Sequence, residues 1–230
     1  MSASQASISE IVADVLACRF EDPPHPGDAQ LALAVLARVA RGEAVDGATL
    51  RALAEEVDPS DPAVRERRVS NLAERNPDGT ITGVLGLSLE PTGYRLDLGE
   101  GERGTWCALD TLFLPPLLAS AASVSSSCAV TGAPVGLHLD AAGTLLAADP
   151  DTLHLTVPVL DPVTAPRDHA SLRSTFCAHS RFAVDRDAAD RLADPEATAV
   201  LHVQDAAALG RRIALAIGRH AGVGAERDTD

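Results

Sequence analysis

The stretch TWCALDTLFLPP (Thr105–Pro116) sets a thiol, Cys107, three residues before a carboxylate, Asp110, inside an otherwise apolar run that also holds the only tryptophan, Trp106. A run built for burial alone has no use for either group. If CALDTL is helical, positions i and i+3 share a face, so the two groups point into the same space and can exchange a proton; Pro115 and Pro116 then end the helix. A free thiol ionises near about 8.5 and an Asp near about 3.9, so the carboxylate is a weak base toward a thiol. A thiol that meets a soft metal, however, loses its proton outright. The pair is suited to capturing a soft metal through sulfur and passing the displaced proton to Asp110.

Three further cysteines, Cys18, Cys128 and Cys177, are widely spaced, and no C-x-x-C pair suggests a zinc ribbon or a thioredoxin-type redox site. The first ten residues, MSASQASISE, lack the charged and apolar regions of a signal peptide, and no run of about 18 apolar residues suggests a membrane span. A cytoplasmic location is expected, where the thiols stay reduced. The formal net charge is −14, and the 19 basic residues are all arginine. Such an acidic surface repels phosphate backbones and anionic lipid, so neither nucleic acid nor membrane is an expected partner.

The elements that must position these groups follow from periodicity. Ile8, Ile11, Val12, Val15 and Leu16 form one helical face, and EDPPHPGD then interrupts it. Leu31, Val35, Leu36 and Val39 mark a second helix; Leu50, Leu53 and Val57 mark a third. A fourth opens at SDPAVRERRVSNL, with Ser60 or Asp61 as cap and Pro62 in the first turn. After a turn at NPDG, TITGVLGLSLEPTGYRLDL reads as paired strands around Pro91 and Gly93. Short helices followed by a hairpin are the order of a winged helix. Beyond residue 105, Val135, Leu137 and Leu139, and again Leu153, Leu155, Val157 and Val159, alternate as half-buried strands do. AVLHV is another strand, followed by a helix on Leu209, Ile213 and Ile217. The expected class is α+β: a winged-helix-like helical region, then a mostly antiparallel sheet with short helices. The expected divisions are a helix and linker (1–28), the winged-helix-like region (29–100), an α+β domain (101–220) and a disordered tail (221–230).

Three segments, WCALDTLFLPPLL (Trp106–Leu118), SSSCAVTGAPVGL (Ser125–Leu137) and RSTFCAHSRF (Arg173–Phe182), resemble the cysteine motifs of the organomercurial (alkylmercury) lyases, in order and at similar separations. The resemblance extends from about residue 30 to about 215 and makes 101–220 the catalytic part. It implies that Cys107 and Cys177 bind mercury, that Asp110 is the catalytic aspartate and that Cys128 is structural; the Asp110 carboxylate is then expected to help hold the Hg(II) product. The implied reaction is protonolysis of a carbon–mercury bond to a hydrocarbon and Hg(II). No organic cofactor or stored metal is implied; free low-molecular-weight thiol serves as co-reactant, and Hg(II) passes to such thiols or to a mercuric reductase. Two thiolates on one soft cation fit this chemistry, since they weaken its remaining bond to carbon.

Other readings compete for the same residues. A free cysteine is ordinarily a small buried hydrophobe, the role expected of Cys18 and Cys128. Trp106 is expected as a pocket wall or core residue. His179, close to Cys177, raises a zinc or copper site with Cys107, Cys128 and Cys177. Arg65, Arg67, Arg68 and Arg75 lie on the helix that reads DNA in a winged-helix regulator, giving a metal-responsive regulator or metal-binding protein sensing Hg, Zn or Cu as the main non-enzyme alternative. Glu66 and Glu74 argue instead that this face is merely solvated. Gly104 and Thr105 stand where bulkier or aromatic side chains are common in the family, and Arg181 stands in what is usually a more aromatic stretch, which leaves alkyl mercury, aryl mercury and organotin open as substrates.

Overall fold

Prolines and polar caps divide the N-terminal part into short helices. A computed structural model describes residues 3–16, 25–161 and 163–222, with side chains from residue 8 in the first segment. Helix α1 (Ala3–Leu16) turns Ile8, Ile11, Val12 and Val15 inward. Helix α2 (Pro26–Ala40) begins at a proline, whose missing N–H is no loss in a first turn, and the His25 ring accepts the Gly27 N–H at 3.0 Å. The Asp46 carboxylate caps α3 (Gly47–Val57) by accepting the Thr49 N–H at 2.7 Å. Helix α4 (Pro62–Leu72) starts at Pro62 with Asp61 in the cap position but making no cap bond, and the Ser60 hydroxyl donates to Asp58 instead.

The expectation of a solvated or DNA-reading face fails for Arg65 and Arg68. Arg65 is buried and donates to Asp28 at 2.6 Å and Asp58 at 3.2 Å, while Arg68 reaches the second oxygen of Asp28 at 2.6 Å. Asp28 is fully buried, so this ion cluster ties α2 to α4 and uses the charges internally. Arg75 folds back onto the Ser70 hydroxyl and the Gly79 carbonyl.

The NPDG turn, closed by Gly79 N–H to Asn76 O at 3.0 Å, joins β1 (Glu74–Arg75) to β2 (Ile81–Val84). β2 pairs with β3 (Leu87–Ser88) across a two-residue turn at Leu85–Gly86. β3 and β4 (Arg95–Asp97) both pair with β5 (Glu102–Thr105) and not with each other, so Pro91 and Gly93 lie in a connecting loop and the hairpin tip is at Leu85–Gly86. With β6 (Ala122–Ser127), β7 (Pro134–Leu139) and β8 (Leu145–Asp149) these form one eight-stranded antiparallel sheet, ordered β1-β2-β3-β5-β4-β6-β7-β8. That sheet runs unbroken across residue 100. A second antiparallel sheet pairs β9 (His154–Pro158) with β10 (Arg181–Ala183) on one side and β11 (Thr198–His202) on the other. The alternation read on residues 135–139 is borne out, Val135, Leu137 and Leu139 all being buried.

Four helices complete the fold: α5 (Asp110–Leu117), α6 (His169–Thr175), α7 (Arg186–Asp190) and α8 (Val203–His220). The apolar stripe of α8, with Leu209, Ile213 and Ile217 buried, packs against α5 and α1. A Cβ at Gly210 would lie 2.6 Å from the Leu112 carbonyl oxygen, so glycine there lets α8 approach the α5 backbone. Helix α1 is tied to α8 by Arg212 to Ser9 at 2.9 Å, Arg219 to Glu10 at 3.0 Å and His220 to Asp14 at 2.9 Å. Among the described residues no helix is long and apolar enough to cross a membrane. Cys18 and the tail from residue 223 lie outside the described residues.

Candidate active site

Strand β5 carries the chain to Thr105, and the Trp106 N–H extends the ladder by donating to Gly86 O at 2.8 Å. Residues 106–109 then turn, and α5 begins only at Asp110, so Cys107 precedes the helix rather than lying within it. The expected juxtaposition survives this difference. Asp110 Oδ2 accepts the Cys107 backbone N–H at 2.7 Å, so the first residue of α5 reaches back across the turn that precedes the helix. Pro115 and Pro116 occupy the last turn of α5, which ends one residue later. The prolines cannot donate backbone bonds into the preceding turn, which keeps the helix short.

Cys177 arrives from α6, where Leu172 and Phe176 are buried and a single 3-10 turn, Cys177–His179, follows. Ser180 fastens this turn to the first: its carbonyl accepts the Ala108 N–H at 3.2 Å and its hydroxyl the Leu109 N–H at 3.3 Å. Ser180 is fully buried, and its carbonyl also receives the Tyr94 hydroxyl at 3.4 Å. Neither Ser180 nor Tyr94 stands out in the sequence as a site residue. The available signal for Ser180 was its spacing, three residues after Cys177 in RSTFCAHSRF.

The result is a buried cluster in which the sulfurs of Cys107 and Cys177 and a carboxylate oxygen of Asp110 all lie within 4.8 Å of one another. It is the one such group of potential metal ligands among the described residues. Sulfurs this close can both bind one soft cation placed between them. Burial pushes the Cys107 thiol well above its ordinary pKa; the neighbouring Cys177 sulfur adds to this and the Ser180 hydroxyl opposes it. Burial likewise holds the Asp110 carboxyl well above the usual carboxylate range, with the Cys107 sulfur adding to the effect. The Cys107 N–H and the Arg173 guanidinium pull it the other way. Asp110 is thus not the ordinary carboxylate with a pKa near about 3.9 assumed from the sequence: burial favours its protonated form.

Asp110 and Cys177 also line a small cavity of about 10 Å³ beside the cluster. Leu160, Leu172 and Phe176 form one wall, and Val12, Val15 and Leu16 of α1 form the other.

The alkylmercury lyase family model matches residues 87–215, more than half the chain. The chain belongs to the alkylmercury lyase family. The alkylmercury lyase of Streptomyces lividans is 34% identical over 173 residues, covering 74% of this chain and 76% of that protein. That of Bacillus cereus is 32% identical over 139 residues, 60% of each chain. In fold, the crystal structure of the mercury-bound form of MerB2 matches with a TM-score of 0.71 at 18% identity, covering 92% of this chain and 99% of that one.

Against this family background, the other sequence-predicted residues fall away from the cluster. Trp106 is buried, but it is a brace and not a residue lining the pocket: its indole N–H donates to Glu74 at 2.9 Å and its ring meets the His169 ring at 4.6 Å between centroids. Cys128 is buried in a separate small apolar cluster with Ala183, Ala188 and Ala189. His179 is exposed, and the four-ligand zinc or copper arrangement is not formed among the described residues. The wide sequence separation of those candidates carried no geometric constraint to bring them together.

Proposed function

We propose that the chain cleaves carbon–mercury bonds by protonolysis, with Cys107 and Cys177 as the mercury-binding thiols and Asp110 as the proton carrier. The observation that carries this reading is the buried meeting of two sulfurs and one carboxyl beside a small apolar cavity. The sulfur of Cys107 attacks mercury and its proton moves to Asp110, whose carboxyl is disposed to keep it. Cys177 then adds its sulfur, releasing its own proton to the displaced ligand of the organomercurial. With two thiolates donating to the metal, the carbon–mercury bond breaks, its electron pair goes to carbon, and the Asp110 proton completes the hydrocarbon. Hg(II) is left on two thiolates. The apolar side chains around the cluster keep water away while charge is rearranged.

No organic cofactor enters this sequence of steps. Low-molecular-weight thiolates then exchange Hg(II) away, since a soft metal changes ligands through attack by an incoming thiolate, and a mercuric reductase is a fitting acceptor. The reading places the protein in the cytoplasm, without nucleic acid as a partner, with residues 101–220 catalytic, Cys128 structural and residues 29–100 winged-helix-like. Incubating purified protein with excess thiol and an organomercurial, then measuring hydrocarbon in the headspace by gas chromatography, tests the reading; no hydrocarbon above a protein-free control would refute it.

A further inference from the structure

The turn between β2 and β3 is unusual. Both of its residues have positive φ, Leu85 at 53° and Gly86 at 87°, as a two-residue type I′ hairpin requires. Asn-Gly is the common solution there; leucine rarely adopts this conformation, and Leu85 is also buried. Backbone strain of this kind persists only where the surroundings over-determine it, and it clusters at functional sites. The surroundings here are the site itself. A Cβ built on Gly86 would lie 2.5 Å from Asp110 Cγ, 2.6 Å from Oδ1 and 2.9 Å from Asp110 Cβ. The turn therefore abuts the carboxylate, while the Cys107 N–H holds its other oxygen, Oδ2, at 2.7 Å. The Gly86 carbonyl in turn accepts the Trp106 N–H at 2.8 Å, which locks the turn to the residue beside Cys107.

We infer that Gly86 is a positioning residue for the carbon–mercury lyase reaction: the hairpin tip forms the backstop that, with the Cys107 N–H, fixes the Asp110 carboxylate where it reaches both sulfurs. The inference rests on the proton-carrying role proposed for Asp110. Only glycine fits, for two separable reasons. The φ of 87° disfavours a side chain, and any Cβ drives into Asp110. Asparagine separates these reasons, because it tolerates left-handed φ yet still carries a Cβ.

The test compares Gly86→Asn and Gly86→Ala with the unsubstituted protein. Both variants are expected to lose on the order of 100-fold in kcat, the cost of displacing a reacting group by about 1 Å, with Hg(II) still bound at one per chain and KM nearly unchanged. The backbone amide of Cys107, followed by ¹⁵N-resolved NMR, reports the carboxylate directly and should shift upfield in both as its bond to Oδ2 weakens. Gly86→Asn with unchanged kcat and an unmoved Cys107 amide would overturn the inference, because glycine would then serve the backbone alone. Where the variants fold poorly, Asp110→Ala is added to remove the carboxylate that the new Cβ meets. Recovery of the urea midpoint in the double variant supports the inference, and no recovery overturns it. Absence of hydrocarbon from the unsubstituted protein would fell the functional reading instead, and the amide shift and the midpoint cycle would still decide this one.

Discussion

Replacing Asp110 by Asn keeps the shape and one hydrogen-bond acceptor for the Cys107 N–H, now held at 2.7 Å, while removing the group that carries the proton. Positioned proton transfer contributes about 10²–10⁴-fold, or roughly 3–5 kcal/mol, so kcat for hydrocarbon release should fall by that factor with Hg(II) still bound by the two thiols. The same substitution has a stability signature. Burial raises the folded-state pKa of Asp110 above its unfolded value of about 3.9, so the protonated form favours folding. The contribution of this group is fully present below about pH 4 and is lost as pH rises from there through the folded-state value. The stability of the unsubstituted protein minus that of Asp110→Asn should therefore decline with rising pH. Urea unfolding of both proteins at a series of pH values measures this difference. Parallel pH curves, or hydrocarbon release within tenfold of the unsubstituted rate, would refute the reasoning.

Cys177→Ser should abolish tight Hg(II) binding and turnover together, whereas Cys128→Ser, in its separate cluster, should retain both; equilibrium dialysis with Hg(II) and the headspace assay distinguish them. Asp28→Ala leaves the buried Arg65 without its 2.6 Å partner and should destabilise the fold by about 3–5 kcal/mol in urea, with kcat at permissive temperature unchanged. Trp106→Phe keeps an aromatic ring against His169 but strips Glu74 of the indole N–H; a loss of about 1–3 kcal/mol is expected in the same measurement.

The helices were largely legible because local signals mark them: Pro26 and Pro62 at first turns, Asp46 as a cap, and apolar residues at helical spacing. The meeting of Cys107 with Asp110 was legible for the same local reason, even though the helix begins three residues later than the spacing suggests. Cys177 came into view only through the family motifs, since nothing local relates residue 177 to residue 107. What stayed hidden depends on distant partners. Arg65 reads as a surface charge until Asp28, 37 residues earlier, is placed beside it. The Leu85–Gly86 tip leaves no mark in the residue pattern, where Pro91 and Gly93 carry the usual turn chemistry, because a leucine at positive φ is stabilised by its surroundings. The altered proton affinity of Asp110 is likewise a product of burial, which no spacing reports.

The family-matched segment opens at Leu87, the first residue of β3. A minimised version of the protein cut at that point would strip β1 and β2 from their neighbour and leave β3 as a bare rim, open to pairing with other chains. It would also lack one wall of the pocket, which comes from Val12, Val15 and Leu16. The segment matched by the family model is thus not a self-sufficient module, and engineering for compactness has to keep the helical half that covers the reacting groups.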